Sequence, residues 1–449
     1  MKVLHYALGF PPYRSGGLTK FCIDLMIQQS QEGHEVAMLW PGQMGLINKI
    51  ISIKKHDDVK IKDSLIQSFE LINPLPVPFD EGIANVARFI INGSDKVYSS
   101  FLDNIKPDII HIHTLMGIHK SFLEVAKRKK IRLVFSAHDF FPICPKVTMF
   151  YHGKICEYVT NYEQCCICNN TALSLNKIRI LQSPIYRKLK DSNIIKIIRK
   201  KHRNSFLKDQ EVSNSKKAVG TIDDYKTLRS YYYSLLELID IIHYNSSVTK
   251  NVFDSIFKLS TASCVISITH LDIQDNKVMR DYDIDKIRIR YLGPQGEAKG
   301  YFLLKDALDL LWKEQQNFSL DIHFDPIETT PYMIVHDRYS YAELGKIFDE
   351  TDILVAPSIW NETFGFTVVE ALSYGIPVII SGNVGAKDIL TENAGIVIEN
   401  ITKQKLALAI KSLTAEKLKI MNKSIVKHQK IIKMDEMSRQ IENICYDWK

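Results

Sequence analysis

The sequence lacks several features that mark specialised classes of protein. No uncharged run among its 449 residues reaches the length needed to span a bilayer, and internal repeats and low-complexity tracts are missing. The opening stretch, MKVLHYALGFPP, is too short an apolar run for a secretory signal. We therefore expect a soluble, cytoplasmic protein, long enough for two or three domains with sizeable cores.

The spaced glycines of a dinucleotide-binding fingerprint are also missing. Residues 3–9 are apolar, residues 18–31 show helical periodicity and a further strand begins near residue 33, which predicts a βαβ opening. Gly16 and Gly17 stand side by side before the helix, and this spacing argues against a nicotinamide enzyme. Taken alone, the pair is typical either of a tight turn or of a loop that faces a ligand.

The net charge of +7 is unevenly placed. Residues 172–217 contain thirteen Lys or Arg against three acids, and apolar and basic residues share helical spacing over 185–206. Such a helix can lie on an anionic membrane surface, or it can be a solvated insertion that caps the core. Few aromatic residues and no binding motif accompany the charge, so we expect no nucleic-acid partner.

Five of the eight cysteines fall within twenty-five residues. In a reducing cytosol, clustered cysteines are more often metal ligands or free thiols than disulfides. Cys165 and Cys168 have C-x2-C spacing, and Cys144 and Cys156 could complete a tetrahedral thiolate set. We expect either a structural zinc site, which would leave no open position for catalysis, or unligated thiols packing a loop.

Residues 353–390 predict a strand, a glycine-bearing turn and then a helix from about Phe366. Free N–H groups at a helix N-terminus and the positive end of its dipole suit an anion, and Gly365 lets a phosphate approach the backbone. Glu362 and Glu370 bracket the turn. Since phosphate repels carboxylates, each is better suited to accept hydrogen bonds from hydroxyls, such as those of a ribose and a hexose flanking a diphosphate.

These two glutamates, with seven residues between them and the segment GIPVI behind them, resemble the E-x7-E signature of the retaining group 1 glycosyltransferases, glycosyltransferase family 4. The resemblance implies that Glu362 lies by the donor sugar and that Glu370 binds the ribose. It also implies that the diphosphate is held by the turn, formed by Thr363, Phe364, Gly365 and Phe366. The resemblance covers residues 1–43, 105–141 and 287–400, and it is absent from 142–230.

Polar residues at two predicted strand ends extend this resemblance. His113 follows one short strand, and His138 and Asp139 follow the next. The carboxyl ends of parallel strands line the ligand crevice of an open sheet. The resemblance implies that His138 is an active-site residue near the anomeric carbon and that Gly16 and Gly17 face the donor phosphates. His113 and Asp139 are candidate contacts for acceptor or sugar, with a structural role as the alternative for His113.

The segment GPQGEAKG, residues 293–300, resembles the family's G-R-x4-K-G loop, whose Arg and Lys neutralise the donor diphosphate. Lys299 matches the Lys and is a candidate catalytic residue, but Pro294 stands where the Arg should be. Loss of one cation at the leaving group would cost a few kcal/mol of transition-state stabilisation. Either Arg14, Arg288 or Arg290 replaces it, or the enzyme is slow or inactive.

The resemblance implies an α/β fold of the GT-B type, in which two Rossmann-like domains face each other across a cleft. We expect an acceptor domain over residues 1–265, with an insertion at about 142–230, and a nucleotide-sugar domain over 266–430. A hinge is expected at 272–285. The final helix, within 431–449, is expected to cross back onto the N-terminal domain.

The implied activity is the retaining transfer of a hexose from a nucleotide diphosphate sugar to a hydroxyl of a glycan or lipid-linked oligosaccharide. Capsule or O-antigen synthesis is the expected setting. Helix N-termini and Lys299 would supply the positive charge, so no cofactor is expected for catalysis. Two alternatives stay open: a non-catalytic sugar-nucleotide-binding partner of another transferase, which Pro294 favours, and a nucleotide-sugar epimerase, which the paired glutamates oppose.

Overall fold

The computed structural model describes residues 1–141, 143–156, 161–190, 192, 218–282 and 285–447. Its strands are β1 (Lys2–Tyr6), β2 (Glu35–Pro41), β3 (Ser52–Lys55), β4 (Val59–Ile61), β5 (Ser64–Ile72), β6 (Ile109–Ile112), β7 (Arg132–Ala137), β8 (Phe150–Tyr151), β9 (Lys154–Ile155), β10 (Ile241–Tyr244), β11 (Ala262–Val265), β12 (Ile287–Tyr291), β13 (Phe318–Ile322), β14 (Met333–Val335), β15 (Ile353–Ala356), β16 (Val378–Ser381) and β17 (Gly395–Ile398). Its α-helices are α1 (Gly17–Gln31), α2 (Asp95–Ile105), α3 (Lys120–Arg128), α4 (Tyr162–Cys168), α5 (Leu175–Leu181), α6 (Pro184–Leu189), α7 (Ile222–Leu236), α8 (Ser247–Ile256), α9 (Tyr301–Trp312), α10 (Leu344–Asp349), α11 (Phe366–Ser373), α12 (Lys403–Lys411), α13 (Ala415–His428) and α14 (Met434–Ile441).

The first sheet is built from the N-terminal part of the chain. Its strand order is β11-β10-β7-β6-β1-β2-β5-β3, with β4 paired to β5. All neighbours pair in parallel except β3 and β4, which run antiparallel to β5. After its first residue, β1 is buried along its length, as expected of a parallel strand with both faces covered. Because β1 lies between β2 and β6, the loops after β1 and β6 diverge and leave a crevice at the carboxyl ends.

The second sheet has the order β14-β13-β12-β15-β16-β17, and its neighbours pair in parallel. This is the 3-2-1-4-5-6 order of a doubly wound sheet. Its crevice lies between the carboxyl ends of β12 and β15. The loop at 293–300 and the turn at 357–365 both leave the sheet at this point, so the fold places the two predicted phosphate-binding segments side by side.

The last helical segment returns to the first sheet, as predicted. The Ser438 hydroxyl in α14 donates to the Glu32 carboxylate at the end of α1, over a distance of 2.7 Å. The Arg132 side chain in β7 donates to the carbonyl of Cys445. Tyr446, in a π-helical turn at Glu442–Tyr446, is 3% exposed and lies against the rings of the first sheet.

The predicted insertion is only partly described. Within it, β8 and β9 form a hairpin and α4, α5 and α6 are short helices. Of the basic helix predicted at 185–206, residues 191 and 193–206 lie outside the described residues. None of the helices in the described ranges is long and apolar enough to cross a membrane. The two sheets occupy either side of the predicted hinge, and the domain boundaries themselves stay a prediction.

Candidate active site

A cavity of about 410 Å³ opens where the carboxyl ends of the two sheets meet, which is within the usual range for a small-molecule site. From the first sheet it is lined by Gly17, Leu18, His138, Asp139, Phe140, Val147 and Asn245. From the second half of the chain its lining includes Lys299, Tyr339, Tyr341, Ser358, Trp360, Glu362, Thr363, Phe364, Gly365, Phe366 and Glu370. The structure therefore gathers most of the predicted site residues around one cleft.

The predicted phosphate-binding turn has the expected backbone. Gly365 caps α11 with a φ of 102°, a left-handed conformation that L side chains rarely adopt. A Cβ added there would lie 2.9 Å from a methyl group of Val384. The N–H groups of Phe366 and Thr367, the first two residues of α11, have no acceptor inside the helix, and both residues line the cleft. The position thus requires glycine for both its conformation and its packing.

Glu362 is held by two partners in the cleft. Its carboxylate forms an ion pair with the Lys299 ammonium and accepts a hydrogen bond from the Ser358 hydroxyl. Lys299 Nζ also lies 5.2 Å from the centre of the Trp360 ring. Lys299 is the one Lys or Arg among the described residues that line the cleft. The two predicted catalytic groups on this side of the cleft are therefore in direct contact.

Glu370 lies in the second turn of α11, and its residue is 4% exposed. Its Oε1 is 3.1 Å from Nε2 of His270, which is fully buried. Tyr339 and Tyr341 also reach this end of the cleft. Burial chiefly, and next the Glu370 charge, raise the pKa of Tyr341 to about 12, so this phenol stays neutral and can donate hydrogen bonds.

Direct hydrogen bonds tie the turn to the first sheet. Thr363 Oγ1 donates to the backbone carbonyl of His138 at 3.0 Å. The Ser246 hydroxyl, which caps α8, donates to the Thr363 carbonyl at 2.6 Å. These contacts fix the distance between the glutamate-bearing turn and His138.

His138 and Asp139 follow β7 and face the cleft. Burial lowers the pKa of His138 to about 3, so its imidazole is neutral. Burial raises the pKa of Asp139 to about 6, although its carboxylate accepts a hydrogen bond from the Phe141 N–H. His138 can therefore exchange hydrogen bonds with a ligand without carrying charge.

Two other predicted residues of the first sheet do not line the cleft. His113 is 1% exposed and lies behind His138, with its Nδ1 3.2 Å from Nε2 of His138. Gly16 caps α1 with a φ of 108°. Gly17 lies beside the Phe366 ring, and a Cβ added to it would be 3.5 Å from that ring. The structure thus places His113 as a supporting residue and leaves Gly17 as the glycine that reaches the cleft.

The arginines considered as substitutes for the family's missing arginine are engaged elsewhere. Arg288 donates to both oxygens of Asp352, and Arg290, 1% exposed, donates to Thr351. Arg14 donates to the Leu8 carbonyl and stacks on the Phe79 ring. None of the three is among the described residues that line the cleft. Pro294 therefore stands without a replacement cation from this set.

The cysteine cluster lies in the insertion, and its members are free thiols. Burial chiefly raises the pKa of the Cys168 thiol, Lys146 lowers it, and the thiols of Cys144, Cys156 and Cys165 raise it further. In the described parts of the chain, three or more metal-binding donor atoms lie within 4.8 Å of one another at two places, and neither includes these sulfurs. Structural zinc at Cys144, Cys156, Cys165 and Cys168 stays a prediction, which metal analysis of protein purified without added zinc would test.

Two family profiles match the chain. Residues 331–430, which include both glutamates of the turn, match the profile of glycosyl transferases group 1. Residues 15–164, which include His138, match the profile of glycosyltransferase family 4. Together the two matches cover more than half of the chain and both sides of the cleft. The chain belongs to the group 1 family of glycosyltransferases.

Solved structures agree with this assignment at the level of the fold. Sucrose-phosphate synthase from Thermosynechococcus elongatus matches with a TM-score of 0.57 and 12% identity, covering 99% of this chain and 98% of that one. Anabaena HepE in complex with UDP and glucose matches with a TM-score of 0.54 and 13% identity, with the same coverage. The GT-B fold predicted from the sequence is confirmed.

Two curated relatives of this chain come from Klebsiella pneumoniae. An uncharacterized 42.6 kDa protein in a cps region is 21% identical over 294 residues, and a 41.2 kDa protein in a cps region is 28% identical over 123 residues. The matches cover 65% and 26% of this chain. The chain spans 61% and 33% of the lengths of these relatives.

Sequence reasoning missed three residues that line the cleft and one that supports it. Tyr339, Tyr341 and Trp360 line the cleft, and the buried His270 contacts Glu370 behind it. None of the four was predicted, although Trp360 stands within the turn segment itself. His270 follows a short apolar run, the same pattern that pointed to His113 and His138. Applying that pattern once more would have identified His270.

Proposed function

We propose that this protein transfers a sugar from a nucleotide diphosphate sugar to a hydroxyl of a glycan or lipid-linked oligosaccharide, with retention of configuration. The observation that carries the proposal is the convergence of Glu362, Glu370, Lys299 and His138 on one cleft. Such a donor requires two carboxylates that accept hydrogen bonds from its hydroxyls. It also requires a cation and a helix N-terminus for its diphosphate.

The donor would lie along the turn. Its diphosphate would accept hydrogen bonds from the N–H groups at the start of α11, while Glu370 accepts hydrogen bonds from the ribose hydroxyls. Glu362 would accept hydrogen bonds from the sugar. Among the structural neighbours, HepE was solved with UDP-glucose and a pneumococcal O-GlcNAc transferase with UDP and GlcNAc, which favours a UDP-sugar as donor.

In the proposed reaction the bond between the anomeric carbon and the diphosphate oxygen breaks, and the acceptor oxygen forms the new bond on the same face. The acceptor's proton passes to the departing phosphate, so the products are the glycoside and the nucleoside diphosphate. Lys299 would release Glu362 and neutralise the charge that develops on the leaving oxygen. The uncharged His138 would position the sugar beside it.

A lipid-linked acceptor is supported by the surface next to the glycine loop. The Lys190 ammonium, just after α6, donates to the Tyr13 carbonyl at 2.9 Å, so this helix lies beside the loop that leads to Gly17. Ile180, Ile185 and Leu189 on α5 and α6 are 61%, 70% and 51% exposed. Exposed aliphatic residues interspersed with Lys and Arg are typical of a helix that lies on an anionic membrane. The cps-region relatives favour capsule synthesis as the setting.

Flotation with anionic liposomes tests this surface and the peripheral membrane location it implies. The wild-type protein should float with the lipid, and a variant with Ile180, Ile185 and Leu189 changed to Ser should float less. A matched variant at Ile420 and Leu408, which are 50% and 65% exposed on α13 and α12, serves as control. Equal recovery of all three proteins would remove the membrane-bound acceptor from the proposal.

A second candidate function is a sugar-nucleotide-binding partner of another transferase. The observation that favours it is that Pro294 replaces the family's arginine. In addition, Arg14, Arg288 and Arg290 form their hydrogen bonds away from the cleft. Incubation with a panel of nucleotide sugars separates the candidates. Slow donor hydrolysis supports a transferase, an isomerised donor supports an epimerase, and binding without turnover supports the partner protein.

A further inference from the structure

Five histidines on and next to the strands of the first sheet form one connected group, in which four are buried behind the cleft and the fifth, His138, reaches it. They are His5, His111, His113, His138 and His243. Ser136, Gln29 and Tyr446 join them, and the hydrogen bonds among these eight residues form a single unbranched chain that ends at the Ile266 carbonyl. We call this chain of residues the histidine relay.

The direction of every bond in the relay follows from its far end. A carbonyl oxygen can only accept, so His243 Nε2 must carry a hydrogen and donate to Ile266, at 2.8 Å. A neutral imidazole carries one N–H, which leaves His243 Nδ1 as an acceptor for the Ser136 hydroxyl, at 2.7 Å. Ser136 has then used its only hydrogen. Its oxygen must accept from His111 Nε2, at 2.7 Å.

The same reasoning sets the direction of donation in the hydrogen bonds of Tyr446, which lies in the C-terminal segment. His111 Nδ1 is left as an acceptor, so the Tyr446 hydroxyl donates to it at 2.6 Å. Tyr446 then accepts from the Gln29 amide nitrogen at 3.0 Å. The other atom of that amide is an oxygen, and it accepts from His5 Nε2 at 2.9 Å. Tyr446 therefore joins the two halves of the relay, and its hydroxyl makes the bonds in both halves run in one direction.

The relay ends at the cleft. His5 Nδ1 is an acceptor, so His113 Nε2 donates to it at 3.0 Å. His113 Nδ1 then accepts from His138 Nε2 at 3.2 Å. The hydrogen of the His138 ring is thereby placed on Nε2, and Nδ1 keeps its lone pair. His138 is partly exposed to the cleft, and among the described residues its Nδ1 has no hydrogen-bond partner.

The opposite order leaves a buried nitrogen unsatisfied. If the Gln29 amide were turned over, Tyr446 would donate to Gln29 and His111 would donate to Tyr446 through Nδ1. His111 Nε2 and His243 Nδ1 would then both need the single hydrogen of Ser136. An unpaired buried polar atom is unfavourable, so the first order is the stable one.

The relay consists of neutral rings. Burial lowers the pKa of His5 and His243 to about 4, and burial with the neighbouring rings lowers the pKa of His111 and His113 well below the ordinary value. His5, His111 and His113 also bring three ring nitrogens within 4.8 Å of one another, an arrangement that could hold a metal ion. Each of their six ring nitrogens already takes part in the relay, so hydrogen bonding accounts for the group without a metal.

We propose that the histidine relay sets the tautomer of His138, so that its Nδ1 faces the cleft as a hydrogen-bond acceptor, and that Tyr446 is a positioning residue for it. The catalytic consequence rests on the proposed function, because the cleft must receive a sugar. An unprotonated Nδ1 accepts a bond from a sugar hydroxyl, and a site built to bind a hydroxyl discriminates against analogues that lack it. The returning C-terminal segment is thereby connected to the reacting end of the cleft through hydrogen bonds.

Nitrogen-15 NMR of the full chain with labelled histidine tests the tautomer directly and needs no substrate. The resonances of His138 are assigned by their loss in His138→Asn. The proposal expects a pyridine-type shift for Nδ1 and a pyrrole-type shift for Nε2 at pH 7.5. The reverse pattern, or an averaged pair of shifts, would overturn it. Because the ligand-free protein is used, this result stands whether or not the protein proves to be a transferase.

Tyr446→Phe removes the one hydroxyl that joins the two halves of the relay. The proposal expects the His138 shifts to move toward an average of the two tautomers. It also expects kcat to fall about five- to tenfold, the size expected for weakening one neutral hydrogen bond, with little change in KM for the donor. Tyr6→Phe is the matched control, because Tyr6 is equally buried and its hydroxyl donates to the Met116 carbonyl outside the relay.

Ser136→Ala breaks the relay at a second place and is the substitute if Tyr446→Phe does not fold. Either variant should change the His138 tautomer, and Tyr6→Phe should not. A single, unchanged tautomer in a folded relay variant would contradict the proposal. So would an equal change in the Tyr6→Phe control.

Discussion

Acid should destabilise this protein through the histidine relay. His5 and His243 are fully buried, and burial lowers the pKa of each to about 4, whereas an exposed histidine titrates near 6.5. Between pH 4 and 6.5 these two histidines are protonated in the unfolded chain and neutral in the folded chain. The free energy of unfolding therefore falls as the pH falls, by about 1.4 kcal/mol per pH unit for each such histidine.

The size of the effect follows from the pKa values. The window from pH 6.5 to 4 spans about 2.5 units, so each of the two histidines removes about 3 kcal/mol of stability. His111 and His113, whose pKa values burial also lowers well below the ordinary value, add to the loss. A typical domain is stable by about 5–15 kcal/mol, so the relay alone removes a large share of that stability before pH 4 is reached.

Differential scanning calorimetry from pH 7.5 to 4.5, at fixed ionic strength, measures this loss as a falling unfolding temperature. His243→Gln is the informative variant, because its amide can still donate to the Ile266 carbonyl but does not titrate. Between pH 7.5 and 4.5 its loss of stability should be smaller than that of the wild-type protein by about 2.5 kcal/mol. An unfolding temperature that is constant across the range, or an identical decline in the variant, would refute the reasoning.

Three further predictions concern the cleft. Glu370→Ala should weaken UDP binding by about 1.5–3 kcal/mol, or roughly 10- to 150-fold, in isothermal titration calorimetry, while the exposed Glu416→Ala leaves it unchanged. Lys299→Met should lower kcat by about 10²- to 10³-fold, since it removes the cation at the leaving group, and an unaltered kcat would exclude this role. Asp139→Asn should raise stability by about 3 kcal/mol at pH 7 and hardly at all at pH 4. The raised pKa of about 6 means that the wild-type protein loses stability as the pH rises from about 3.8 to 6, where the unfolded chain ionises before the folded one does. Denaturation at both pH values measures the difference.

The parts of the site that lie in one short segment could be predicted from the sequence. The turn between Glu362 and Glu370 is such a segment, because a glycine before an apolar helix and two carboxylates eight positions apart specify its geometry locally. Lys299 and His138 were predicted because each follows a predicted strand of a parallel sheet and matches a residue that the family resemblance implies. The sheet order then brings these strand ends together, which is a property of the fold class and not of any single residue.

Contacts between distant segments could not be predicted. His270 meets Glu370 across 100 positions of the chain, and Tyr446 meets His111 across 335. His113 is covered in part by the rings of Phe21 and His138, which contact it and each other, and this depends on how α1 packs on the sheet. One signal was available: His111 and His113 are two positions apart along a strand direction and so share a face. That periodicity predicts a histidine pair, but not the His5 ring that lies beside both.

The central claim is that the cleft binds and cleaves a nucleotide diphosphate sugar, and release of nucleoside diphosphate measures it most directly. The purified protein is incubated with a panel of UDP-, GDP-, ADP- and dTDP-sugars, with and without an acceptor extract, beside a Glu362→Gln, Lys299→Met double variant. Release of nucleoside diphosphate from at least one donor by the wild-type protein, and not by the double variant, is the predicted result. Equal release by both proteins, or no binding of any donor, would contradict the account.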